Sequence, residues 1–205
     1  MARVLEKRER SLGTKLSIRG DRASSPKAAL TRKPYKPGQH GKRFSKVGEF
    51  GTQLREKQKI KFSYGVTDKQ LKKIFKSAAG TKGTSAIEII TRLLECRLDN
   101  VIMRLGFAPS RSVARQMVNH GFFAVNGSRT NTPSYQVGLG DVITIYDATK
   151  GGSIFEGVKE NIKSYNAPSW LSLNKEKLEG KVESQPKDVD FQFNINLVVD
   201  YYSKK

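Results

Sequence analysis

Arg111, Arg115 and Asn119 recur at i, i+4 and i+8, and Val113, Ala114, Met117 and Val118 face the other way. A helix would set the three polar residues in one outer row. Arginine suits phosphate because its planar guanidinium can give two parallel hydrogen bonds. Between Asn100 and Gly140 there are four arginines (Arg104, Arg111, Arg115 and Arg129) and no acidic residue. The nearby Asn126-Gly127 pair is the favoured two-residue hairpin turn and can present backbone N–H groups beside the row. Together these make a basic shelf suited to reading RNA by shape more than by base sequence. The rival is an ordinary solvated basic face, and the absence of a balancing acid within this stretch argues against it.

The same chain offers little for catalysis. His40 and His120 have no Ser, Cys or carboxylate partner at a recognisable spacing, and no nucleophile elbow or phosphate-cradling glycine loop is present. His40, in Pro-Gly-Gln-His-Gly, reads as a turn or phosphate-contact residue, and His120 as a helix-end or RNA-contact residue. Cys96 is the one cysteine, so no internal disulfide can form, and its apolar surroundings mark it as a small buried hydrophobe. One Cys and two distant His leave a structural zinc almost without ligands.

Composition points the same way. The 205 residues hold 38 Lys and Arg against 19 Asp and Glu, a net charge of +19, with apolar residues at 37%. So strong a charge repels itself when compact, and a polyanion relieves that repulsion. The excess is concentrated: residues 1–80 carry 22 basic and 6 acidic side chains, against 16 and 13 in residues 81–205. No run of about 18 apolar residues and no apolar N-terminal signal segment is visible, so membrane contact would have to be peripheral. No basic amphipathic helix with exposed Trp and Phe supports that alternative.

The elements that must position these groups are legible in outline. Residues 1–46 are basic, broken by Gly and Pro, and read as an extended arm without a core of its own. From Val47 a helix places Phe50, Leu54 and Gln58 on one face, with Arg55, Lys57, Lys59 and Lys61 among its polar positions. A second helix starts at the Thr67–Gln70 capping box and ends at Gly80, with Leu71, Ile74, Phe75 and Ala78 inward. A third follows Ser85, with Glu88 completing another capping box and Ile87, Ile90, Leu94 and Leu98 on its core face. Leu98, Val101, Ile102 and Leu105 predict a helix closed by Gly106, and Pro109-Ser110 opens the arginine helix, closed by Gly121. Phe122–Val125 and Asp141–Ile145 read as strands. Residues 150–190 are polar and poorly periodic, with Pro168, Trp170 and Leu171 as an anchor. Phe191, Phe193, Ile195, Leu197, Val199 and Tyr201 alternate with more polar residues, which predicts a half-buried C-terminal strand.

Several of these segments resemble one family. Pro-Gly-Gln-His-Gly (37–41), Gln-Leu-Arg-Glu-Lys-Gln-Lys (53–59), Tyr-Gly-Val (64–66), Arg-Leu-Asp-Asn-Val (97–101) and Ser-Arg-Ser-Val-Ala-Arg-Gln-Met-Val-Asn-His-Gly (110–121) look like bacterial small-subunit ribosomal protein number four. So do Val-Asn-Gly (125–127), Ser-Tyr-Gln-Val (134–137) and the ending Tyr-Tyr-Ser-Lys. The resemblance implies an α+β fold: a mostly helical first domain (47–95) completed by a C-terminal strand (190–205), and an inserted domain (96–189) whose RNA-binding module spans about 97–160. It implies a primary binder of small-subunit ribosomal RNA that nucleates assembly of the 5′ domain. It further implies contact with ribosomal proteins five and three, a part in decoding accuracy with protein five, and a place on the messenger entry channel through Lys42, Arg43 and Lys46. The expected location is the small subunit in the cytoplasm. Many members carry an N-terminal zinc cluster; no Cys precedes Cys96 here, so no metal, cofactor or small-molecule substrate is implied. Residues 1–33 match poorly.

The candidate RNA contacts are therefore Arg97, Arg104, Arg111, Arg115, Gln116, Asn119, His120, Asn126 and Gly127, with Arg55, Lys57, Lys59, Lys61 and His40. Two other classes compete. The same module is appended to RNA-modifying and tRNA-charging enzymes, but a catalytic domain would need a hundred or more further residues. A free messenger-binding repressor is compatible with the ribosomal reading and uses the same surface.

Overall fold

The computed structural model describes residues 6–16, 18, 20, 25–43, 46–81, 84–146, 157, 158, 160, 162, 164–187 and 189–203. The chain divides into two units, Met1–Ile90 with Asp190–Lys205, and Thr91–Val189.

The first unit is helical. Helices α1 (Lys7–Leu12) and α2 (Ala29–Arg32) precede α3 (Glu49–Tyr64), α4 (Asp68–Gly80) and the start of α5 (Ala86–Glu95). Within residues 1–46, read above as an extended arm, the described part forms these two short helices and buries Leu16, Ile18 and Ala28. Glu9 anchors the first, its Oε1 accepting the Leu16 N–H at 2.8 Å. The expected capping box of α4 is present: the Thr67 hydroxyl accepts from the Gln70 N–H, and the Gln70 side chain accepts from the Thr67 N–H. Leu71, Phe75 and Ala78 then point inward.

Helix α3 buries a different face from the one expected. Phe50 is 58% exposed, and the inward residues are Gln53, Glu56, Lys57, Ile60 and Tyr64. Polar side chains can take that face because each finds a partner there. Glu56 accepts the Asn194 N–H at 2.8 Å and the Lys59 ammonium at 2.6 Å, and Lys57 reaches Asp68 at 3.1 Å.

The expected C-terminal strand is instead a helix, α8 (Ile195–Ser203). Two physical reasons decide this. Among the described residues of this unit no strand offers backbone partners, so an added strand would leave its N–H and C=O groups unpaired. Val198, which alternation places on the polar side, falls with Ile195 and Tyr201 on one helical stripe and is fully buried. Asn194 supplies the N-terminal cap, its Oδ1 accepting from the Asn196 and Leu197 N–H groups at 3.0 and 3.4 Å. Aromatic pairs pack α8 against its neighbours: Phe50 with Tyr201 at 5.7 Å, and Phe75 with Tyr202 at 4.9 Å between ring centroids.

The second unit is α+β. Helices α6 (Leu98–Arg104) and α7 (Arg111–Asn119) pack together beside a five-stranded antiparallel sheet. The strands are β1 (Phe123–Val125), β2 (Ser128–Thr130), β3 (Val142–Ile145), β4 (Leu171–Asn174) and β5 (Glu179–Val182), in the order β2-β1-β3-β5-β4. Asn126 and Gly127 have φ of 50° and 80°, the doubly positive turn that matches the twist of a two-residue hairpin. Phe123 pairs with Ile145 and Ile143 with Gly180, so the interior face is fixed by register. Leu105 lies so close over Gly180 that any Cβ there would overlap its methyl groups. Trp170 and Leu171 are buried in this core, as anticipated.

The β4–β5 hairpin was not legible. Its strands have only four residues each, and its turn holds Leu178 at a positive φ of 54°. Asn174 organises that turn by accepting from the Glu176 and Lys177 N–H groups, both at 3.1 Å.

The helical register of α8 has a direct test. Val198→Ala should lower the unfolding free energy of the full chain by about 1–3 kcal/mol in urea titrations, while Asn196→Ala should leave it nearly unchanged. Both residues share the solvent side in the strand register, so equal small effects would restore that register.

Candidate nucleic-acid interface

The arginines of the second unit are organised by two buried carboxylates. Glu95, at the end of α5, is fully buried. Arg104 donates to it through Nε at 3.0 Å and Nη2 at 3.1 Å, a two-point fork. The Asn100 amide donates to the Glu95 carbonyl at 2.8 Å and to its Oε2 at 2.9 Å. Arg111 donates through Nε to Asn100 Oδ1 at 2.7 Å and brings Nη2 within 4.0 Å of Glu95. Asp99 is 3% exposed and accepts from Arg97 Nε and Nη2 at 3.2 and 3.0 Å, and from Arg115 Nη1 at 3.4 Å. Burial is the largest influence on Arg115 and lowers its pKa, with Asp99 opposing and Arg97 adding to the effect.

This geometry corrects the expectation of an unbalanced outer row. The balancing acids lie at positions 95 and 99, just upstream of the acid-free stretch, and the α6–α7 packing brings them under it. Arg97 is itself buried, at 3%, and Arg104, Arg111 and Arg115 are half-buried, with one edge held inside.

Gln116, Asn119 and His120 are exposed on α7 and at its end. Ser110 caps that helix, accepting from the Val113 N–H at 3.4 Å. The His120 ring stacks on Phe122 at 5.7 Å. Arg129, left out of the sequence-based contact set, donates to the carbonyls of Gly121 at 3.0 Å and His120 at 3.1 Å, and lies over the Tyr146 ring at 5.1 Å. With Asn119, His120, Gly121 and Asn131 it lines a polar cleft of about 230 Å³. Asn131 carried no sequence signal beyond its polarity. Asn126 is exposed, but its side chain is committed: Nδ2 donates to Asp141 at 2.8 Å and Oδ1 accepts the Val142 N–H at 2.9 Å. Gly127 completes the exposed turn beside it.

In the helical unit the basic residues of α3 are engaged locally. Lys57 is 9% exposed and lies over the Tyr201 ring at 4.9 Å as well as against Asp68, Lys59 pairs with Glu56, and Lys61 pairs with Asp68. The Lys61 hydrogen bond is the chief reason that Asp68 titrates below the usual carboxylate range, against an opposing desolvation. Arg55 is half-buried. The exposed basic row lies on α4, where Lys69, Lys72, Lys73 and Lys76 follow i, i+3, i+4, i+7 spacing. The sequence-based contact set named Arg55, Lys57, Lys59 and Lys61 of α3 and omitted this row.

His40, Lys42, Arg43 and Lys46 are all exposed. The His40 carbonyl accepts the Arg43 N–H at 3.0 Å, and Lys42 lies 5.4 Å from the Tyr35 ring. Arg10 pins the chain leading into this turn, donating through Nε to the Lys33 and Tyr35 carbonyls at 3.0 and 3.1 Å. Among the described residues no group of three or more His, Cys, Asp or Glu could hold a metal ion. Cys96 is buried, and burial with Glu95 pushes its thiol up to about 11, opposed by Arg92, so it is unreactive near neutrality.

Glu95→Gln should destabilise the chain by about 3 kcal/mol, because it leaves half-buried guanidinium groups without their carboxylate. Glu88→Gln, on the exposed side of the same helix, should stay within about 0.5 kcal/mol. Equal denaturation midpoints for the two variants would show that the Glu95 pairs behave as surface pairs.

Comparison with known proteins agrees with this two-part arrangement. Residues 5–95 match the family described as ribosomal protein S4/S9 N-terminal domain, and residues 96–143 match the S4 domain. The small ribosomal subunit protein uS4A of Clostridium botulinum is 47% identical over 194 residues, which is 94% of this chain and 93% of the relative. Proteins of the same kind from Alkaliphilus oremlandii (uS4A) and Nitratidesulfovibrio vulgaris (uS4) are 46% and 44% identical over the same shares. On that likeness, spanning both units, the chain belongs to the uS4 family of ribosomal proteins.

Proposed function

We propose that this chain is a structural constituent of the small ribosomal subunit that binds folded ribosomal RNA, and that it acts early, nucleating assembly of the 5′ domain. The observation that carries this reading is the 44–47% identity, over nearly the whole chain, to proteins named for the small subunit. As a member of a family of ribosomal structural proteins it is not an enzyme.

The interface geometry supplies a physical account of binding. Arg104, Arg111 and Arg115 are held at one edge by Glu95 and Asp99, so phosphate meets donors whose rotamers are already restricted. Gln116, Asn119, His120 and Arg129 add exposed hydrogen-bonding groups beside them. Arg97 acts through Asp99, as an orienting residue. In the helical unit the exposed lysines of α4, together with Arg55 and His40, bear the long-range attraction, while Lys57, Lys59 and Lys61 mainly hold α3 in place. Lys42 and Arg43 are exposed on the turn pinned by Arg10, and Lys46 is exposed further along the chain, which fits contact with passing messenger at the entry channel. Contact with ribosomal proteins five and three, and an influence on decoding accuracy through protein five, belong to the same reading.

Binding to a ribosomal RNA junction should weaken roughly 10³–10⁵-fold between 50 and 200 mM salt, as for 6–10 phosphate contacts. Arg115→Ala should reduce the slope of the logarithmic salt plot by about 1 without loss of circular dichroism, because Asp99 keeps Arg97. A flat salt titration would count decisively against the reading. Joint replacement of Lys42, Arg43 and Lys46 by Ala should leave subunit assembly intact and slow translation through a stable messenger hairpin, and unchanged passage would remove the channel assignment.

A further inference from the structure

Residues 33–37 form neither helix nor strand, and Pro34 and Pro37 have no N–H to anchor them. A single side chain anchors them instead. Arg10, half-buried on α1, donates through Nε to the Lys33 carbonyl at 3.0 Å and the Tyr35 carbonyl at 3.1 Å, and through Nη2 to the Lys36 carbonyl at 3.4 Å. Its guanidinium also lies over the Tyr35 ring, 5.0 Å from the centroid. The contacts run on into the next turn. Lys42 meets the same ring at 5.4 Å, and a Cβ on Gly41 would overlap the Lys36 carbonyl.

We propose that Arg10 is a positioning residue: it fixes the direction in which the turn at 38–43 presents Lys42 and Arg43, and acts on messenger only through them. The proposal rests on the channel contact proposed above. The turn's backbone bonds, from the Gly41 N–H to the Gly38 carbonyl at 3.2 Å and from the Arg43 N–H to the His40 carbonyl at 3.0 Å, are internal. They shape the turn without setting its direction. Arg10 sets that direction, reaching the chain that leads into the turn from 23 to 26 positions away. Direct contact with phosphate fits less well, because carbonyls occupy Nε and Nη2 and the Tyr35 ring covers a face of the guanidinium. Nor does Arg10 hold α1 together. Glu9 accepts the Leu16 N–H at 2.8 Å, and the Gly13 N–H caps the helix on the Glu9 carbonyl at 2.8 Å. Lysine cannot replace Arg10, since one ammonium group has no planar fork to span carbonyls on three residues.

Small subunits are reconstituted with full-length chain carrying Arg10→Lys, the joint replacement of Lys42, Arg43 and Lys46 by Ala, or both, and incorporation is measured first. Arg10→Lys should slow passage through a stable messenger hairpin roughly twofold, the scale of one misdirected surface cation, and leave an unstructured message unaffected. Added to the joint replacement, it should slow passage no further, because the cations it directs are gone. Amide hydrogen exchange across 38–43 in those subunits should quicken about tenfold, with 98–119 unchanged. Tyr35→Leu, which removes the ring beside Lys42 but leaves the carbonyl bonds, should slow hairpin passage by less. Normal passage with Arg10→Lys where the joint replacement slows it, added slowing in the combined variant, or unchanged exchange would overturn the positioning role and leave the channel contact standing. Normal passage with the joint replacement would sink both. Failure of the Arg10→Lys and Tyr35→Leu chains to enter subunits would show a folding role and also overturn the proposal.

Discussion

A carboxylate taken out of water keeps its charge only where cations and hydrogen-bond donors surround it. Glu95 and Asp99 meet that condition by drawing Arg97, Arg104, Arg111 and Arg115 around them, with the Asn100 amide bridging Glu95 and Arg111. The constraint acts in both directions. The acids could not lie under α6 and α7 without the guanidinium groups, and the guanidinium groups could not hold one orientation without the acids. A flexible arginine loses rotamer freedom whenever it grips a phosphate. Here part of that loss has already occurred on folding.

The helical unit uses its few acids in the same way at lower burial. Glu56 ties the start of α8 and Lys59 to α3, and Asp68 gathers Lys57 and Lys61 at the start of α4. Each acid thus removes lysines from the pool available to a polyanion. What remains exposed includes the row on α4, the group at residues 42, 43 and 46, and Lys7, Arg8, Lys15, Lys27, Arg32 and Lys33. Net charge brings the chain to RNA, but the ion pairs decide which cations are left to touch it.

Local signals were the readable ones. The Thr67–Gln70 box, the Asn126-Gly127 turn and the apolar stripes of α6 and α7 each specify geometry within a few residues, and each element stands where its residues predict it, although Val113, expected inward on α7, is 37% exposed. Signals that needed a partner failed. The C-terminal alternation satisfied a strand as well as a helix, but the described residues of that unit hold no neighbouring strand, and Val198 needed burial. The inward face of α3 could not be read from hydrophobicity, because Glu56 and Lys57 are buried by virtue of residues about 140 and 10 positions away. The β4–β5 hairpin depends on Asn174 and on a strained Leu178, neither of which announces a turn by type and spacing alone.

The amino-acid sequence by itself determined the basic excess and its concentration in residues 1–80, the order of most helices and strands, the lack of catalytic spacing, and the family. These rest on composition and short-range geometry, which need no folded partner. Tertiary structure alone decided which arginines are held by buried carboxylates, which lysines stay free of them, and that Ile195–Ser203 form a helix. Such outcomes follow from long-range contacts, where a side chain's solvation depends on groups that only folding brings beside it.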